Sequence, residues 1–191
     1  MHKRIALAAA AALVACGGGS SWVDPTTGNF SAQDSAAVMS MVSSGFSAAV
    51  QRQATPQPPM QPGSAGAALT QTVTVTNPCA ASGQVSVVGS MDSNCSPSGA
   101  CSFSGGLKLT LAACTDLNGV AGDGFLNIGA SGSSTSTTFS LHETIQGAVT
   151  VARNGTTIGT CGINVTADIS SDGTTDTVHV SGTICKQAVA Q

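Results

Sequence analysis

Six cysteines, Cys79, Cys95, Cys101, Cys114, Cys161 and Cys185, carry most of the reactive chemistry in the body of this chain. No two of them have the Cys-x-x-Cys spacing of a metal clip or a redox pair, so in an exported chain they predict up to three disulfides, from fifteen connectivities. Proximity pairs Cys95 with Cys101 and Cys161 with Cys185, which leaves Cys79 for Cys114. His142-Glu143 begins like a zinc-protease motif, but Gln146 stands where the second histidine belongs and the run reads as strand. Strand parity places His142 and His179 outward as solvated side chains. Glu143 shares parity with Phe139, Leu141 and Ile145 and points inward, where a lone carboxylate is costly. That predicts either a local irregularity or a position near the end of the sheet. The loop 116–124 offers Asp116, Asn118 and Asp123 to a calcium ion, but it lacks EF-hand spacing and the closing Glu, and Asx and Gly residues are what any tight loop uses. There is no Walker-type loop and no nucleophile elbow. The sequence therefore calls for no catalytic residue, no metal and no cofactor.

The seventh cysteine has a different setting. Lys3 and Arg4 precede an apolar run from Ile5 to Val14, which ends in Leu13-Val14-Ala15-Cys16 before Gly17-Gly18-Gly19-Ser20-Ser21. A basic start, a short apolar core and small residues are the parts of an export signal. The run is well short of the ~20 residues that cross a bilayer core, so it does not read as a transmembrane helix. Leu13-Val14-Ala15-Cys16 resembles the lipobox of bacterial lipoproteins. The resemblance implies cleavage before Cys16, lipid attachment on Cys16 through a thioether-linked diacylglycerol, and an acylated amine. Each buried methylene of such chains contributes about 0.8 kcal/mol, so several acyl chains together make a lasting anchor. Gly17, rather than Asp, at the next position implies the outer membrane of a Gram-negative bacterium. The expected localisation is the cell envelope, with the membrane as partner through the lipid.

Beyond the 1–15 signal peptide, four cations (Arg52, Lys108, Arg153, Lys186) stand against nine acids, a net charge of −5. That argues against nucleic acid, which needs clustered basic residues. Residues 16–30 are expected to form a flexible tether, opened by a Gly/Ser run. Residues 31–53 form an amphipathic helix. Ser31 and Asp34 have capping-box spacing, and Val38, Val42, Phe46, Ala49 and Val50 recur on one stripe. The Pro-rich stretch in 54–67 cannot continue the helix and serves as a linker.

From 68 to 191 the apolar period falls to two. Leu69, Val73 and Val75 alternate with threonines, Phe103, Leu107, Leu109 and Leu111 alternate with polar or small residues, and further strands are expected over 83–92, 124–132, 137–153, 156–170 and 175–186. The fold class is mainly β: an antiparallel meander of about seven strands, as a curled sheet, half-barrel or sandwich, with the N-terminal amphipathic helix packed on it. Asn154-Gly155 and Asp172-Gly173 suit two-residue hairpin turns. Centring a turn on Asp172-Gly173 pairs Ala167 with Val178 and Val165 with Val180. It also sets Cys161 opposite Ile184 and turns Cys185 outward, in conflict with the Cys161–Cys185 bridge. The preceding hairpin needs a bulge between Ile158 and Cys161. In style, with short Ser/Thr-rich strands and a closing Val-Ser-Gly-Thr-Ile-Cys, the body resembles β-rich envelope lipoproteins of proteobacteria, a resemblance that implies no activity.

These features predict a membrane-tethered, non-catalytic β-domain acting as a structural or interaction module, with an envelope protein or a glycan as partner. The alternatives are a carrier of a small apolar ligand in a β-cavity and an enzyme whose site is not legible in the sequence.

Overall fold

The computed structural model describes residues 22–53 and 68–190, with side chains for all but 45–53. The expected signal peptide, Cys16 and the 54–67 linker lie outside the described residues. One helix, α1 (Ala32–Gln53), precedes eight strands: β1 (Ala68–Pro78), β2 (Ser82–Cys95), β3 (Cys101–Thr115), β4 (Val120–Ser134), β5 (Phe139–Arg153), β6 (Thr156–Ser171), β7 (Asp176–Ile184) and β8 (Gln187–Ala190). They make a single antiparallel sheet whose spatial order is the chain order, β1 to β8, so the meander is complete and the sheet is unclosed.

Alternation decides which side chains form the core. Val73 and Val75, Val85 and Val87, Leu107, Leu109 and Leu111, Leu126 and Ile128, Ile145 and Val149, and Ile163 and Val165 fall on the same face of successive strands, and all are buried. With so few aromatics, this core is aliphatic. Its larger side chains are accommodated by glycines on neighbouring strands. A Cβ on Gly105 would stand 2.5 Å from Met91 Sδ, and one on Gly132 would stand 2.5 Å from the Phe103 ring, so these positions are small because a neighbour occupies the space.

The helix begins as its sequence requires. Ser31 Oγ accepts from the Asp34 N–H at 3.2 Å, and the Asp34 carboxylate accepts from the Ser31 N–H at 2.9 Å, a reciprocal capping box. Val38, Met41 and Val42 are buried, and α1 lies against β1, β2, β3 and β4. Met41 reaches the inner face near Leu111 and Val149 at Gly122. The Asp34 carboxylate also accepts from the Arg153 guanidinium at the end of β5.

Four sequence expectations need correction. The part of the expected 16–30 tether that is described, residues 22–30, is docked rather than free: Thr27 and Thr160 exchange backbone hydrogen bonds at 2.9 and 3.1 Å, and Thr26 Oγ1 accepts from the Gly162 N–H at 2.9 Å. This segment occupies the edge of β6 beyond the point where β7 ends, and Gly159 permits it, since a Cβ there would stand 2.0 Å from the Thr27 carbonyl oxygen. The β6–β7 turn is not the two-residue form. Asp172–Thr175 make a four-residue connection in which Asp172 Oδ1 accepts from the Thr174 and Thr175 N–H groups. Val178 therefore pairs with Ile169, and Val180 with Ala167. The slip is two residues, so the paired side chains of β6 and β7 keep their predicted faces. Third, the strand expected over 175–186 ends at Ile184: Cys185 (φ 49°) and Lys186 (φ 67°) form a tight turn into a further strand, β8. Fourth, Cys185 is consequently not turned outward but buried, and Ile184 pairs with Ile163 rather than with Cys161. The bulge falls at Ile158, where Val151 pairs with Gly159 but Ala152 pairs with Thr157.

Candidate functional site

The three disulfides are Cys95–Cys101 and Cys161–Cys185, the pairs that proximity predicts, and Cys79–Cys114, the pair left over. Each ties a turn to its neighbours. Cys95 and Cys101 are directly opposed at the end of the β2–β3 hairpin, while Cys161–Cys185 fastens the β7–β8 turn to β6, where the Cys185 N–H also donates to the Gly162 carbonyl at 2.8 Å. These cysteines are structural in this arrangement, since none retains a free thiol.

The chemically distinctive group is Glu143. It lies in mid-strand, neither at an irregularity nor at the end of the sheet, and is 1% exposed. Across the sheet it is paired with Ala130 of β4 and Ala167 of β6, and the same inner row continues to Gly105 on β3 and Val180 on β7. Leu141 and Ile145 flank it on its own strand. Carboxyl oxygen Oε2 is buried with no hydrogen-bond partner. Burial raises its pKa from 4.5 to about 8, because the charged form would give up hydration without gaining a partner. At neutral pH the side chain is a neutral acid in an apolar wall.

On the outer face of the same region, His142, Asp168 and His179 stand in register on β5, β6 and β7. His142 Nδ1 lies 2.6 Å from Asp168 Oδ1, and both side chains are about half exposed. The expectation of two solvated histidines thus holds for exposure, but His142 has a carboxylate partner that only strand pairing reveals. Among the described residues, no three His, Cys, Asp or Glu side chains are placed to hold a metal ion together. In the 116–124 loop, Asp116 Oδ1 accepts from the Asn118 and Val120 N–H groups, both at 2.8 Å, and Asp123 Oδ2 accepts from the Ala113 N–H at 3.0 Å. Those carboxylates organise the turn.

Sequence reasoning missed the Asp34–Arg153 contact, whose partners are 119 residues apart. No helix among the described residues is long and apolar enough to cross a membrane. The fold and these polar positions define an open, all-antiparallel β-sheet domain with one packed helix and three bridges. No protein-family model matches the chain, and no curated protein or solved structure shows significant similarity to it.

Proposed function

We propose that this chain is an envelope lipoprotein whose β-domain acts without catalysis, as a structural or interaction module held to the membrane through Cys16. The observation that carries the reading is how the two faces of the sheet are used. The inner face is spent on its own core and on Val38, Met41 and Val42 of α1, while the outer face is mainly short and polar, interrupted by exposed Val88 and by Phe125 with Lys108 Nζ 4.3 Å above its ring. One outer row, Thr70, Asp92, Ser104, Ser131, His142, Asp168 and His179, runs unbroken across seven strands. Such a surface suits an envelope protein or a glycan. Three disulfides are consistent with an oxidising compartment, and the Leu13-Val14-Ala15-Cys16 sequence supports the lipid anchor. Mass spectrometry of the mature N-terminus is the test. The expected first residue is Cys16 carrying diacylglycerol and an amide-linked acyl chain; an unmodified Cys16, or cleavage elsewhere, refutes the anchor. The second reading, a carrier of a small apolar ligand, draws on the unpartnered Glu143, and it requires a small molecule to be released when the purified native protein is denatured.

A further inference from the structure

A carboxyl group in an aliphatic core is costly to keep unless something is gained by its ionisation. Glu143 is flanked only by Ala130, Ala167, Leu141 and Ile145 among its strand neighbours, and its Oε2 is unbonded. We propose that Glu143 is a proton-dependent latch: the core between β4, β5 and β6 stays closed while this carboxyl is neutral, and opens locally when it loses its proton.

Among the described residues, the charged groups that could compensate an ionised Glu143 are remote. On β3, β4 and β6 the charged side chains, Lys108, Asp123 and Asp168, stand on the opposite parity from the inner row. On β5, His142 points outward and Arg153 is ten residues away, about 33 Å along an extended strand, where it pairs with Asp34 of α1. On β7, His179 is outward, and Asp176 sits at the far rim opposite Ser171. With no cation at hand among the described residues, the carboxylate finds its solvation in water. Reaching water means parting the inner-face side chains around it, since the group is 1% exposed with the sheet closed.

The sign follows from proton binding. The closed form holds the proton up to about pH 8, whereas an opened, hydrated Glu143 would release it near 4.5. Between those values the opened form binds fewer protons, so rising pH favours opening, by tenfold per pH unit in the limit. Above pH 8 both forms are ionised and the dependence levels off.

Amide hydrogen exchange on the full chain, corrected for the intrinsic pH dependence of exchange, tests this. From pH 5.5 to 7.5 the opening constant of amides in 128–132, 141–145 and 165–169 is expected to rise about 100-fold, then flatten above pH 8, while amides near Asp34 and Arg153 do not follow. In Glu143→Gln the same amides are expected to lose the dependence. Equal pH slopes in the two proteins overturn the proposal. Should Glu143→Gln fail to fold, the carboxyl carbon of Glu143 in the wild-type chain decides by NMR titration: a midpoint near 8 supports the latch, and one near 4.5 overturns it.

Discussion

Removing the Asp34 carboxylate tests whether α1 belongs to the β-domain or merely precedes it. The side chain is 4% exposed and makes two kinds of contact, one within the helix start and one to the far end of β5. Burial by itself would raise the Asp34 pKa, but bonds from the Ser31 hydroxyl and N–H, with the Arg153 charge, outweigh it and hold the carboxyl below its ordinary 3.8. Asp34→Ala deletes half of a capping box, a loss of about 1 kcal/mol. It also deletes the Arg153 pair, for which about 1 kcal/mol is the appropriate scale because Arg153 is 44% exposed and water can re-solvate it. The expected destabilisation is therefore about 2 kcal/mol, a fall in Tm of roughly 4–8 °C for a domain of this size. Urea unfolding of the full chain, followed by circular dichroism, measures it. A double-mutant cycle with Arg153→Ala separates the two contributions, and the coupling is expected to be about 1 kcal/mol. Because the folded pKa is depressed, this stability is fully present above pH 4 and is lost as pH falls through the lowered value. A change below 0.5 kcal/mol for Asp34→Ala would show that neither the cap nor the pair holds the helix on the sheet.

Non-reducing peptide mapping is expected to recover Cys79–Cys114, Cys95–Cys101 and Cys161–Cys185, and pairing of Cys161 with any other cysteine would contradict the β7–β8 turn. Replacing Cys161 and Cys185 together by alanine opens a link of sequence separation 24 and is expected to cost about 3 kcal/mol by chain entropy, measurable as a lowered urea midpoint. Leu109→Ala empties a fully buried position in the middle of β3 and is expected to cost about 2–5 kcal/mol; a loss under 1 kcal/mol would mean that the inner face is not a close-packed core.

The period of two, the Asn154-Gly155 turn, the Ser31/Asp34 box and the inward parity of Glu143 were legible in the sequence because each is a local property. Alternation requires only that one face of a strand be buried, and a cap requires residues three apart. Two of the disulfides were legible for a related reason, since in a meander cysteines close in the chain are also neighbours in space, and Cys79–Cys114 followed as the remaining pair. What the sequence left open depends on register. A turn of two residues or four around Asp172 preserves which face each side chain takes and changes only who stands opposite whom. That choice brings Ala167 beside Val180, while the separate β7–β8 turn makes Cys185 a buried turn residue rather than an outward strand residue. The positive φ of Cys185 and Lys186 carries no local sequence mark, because neither residue favours that conformation on its own; the bridge to Cys161 and the β7–β8 pairing hold it. Only tertiary structure could set the carboxylate of Asp34 against Arg153, or show Glu143 between Ala130 and Ala167 with its Oε2 buried and unbonded. Those contacts join distant positions in the chain, and the cost or gain of a charge is decided by what surrounds it.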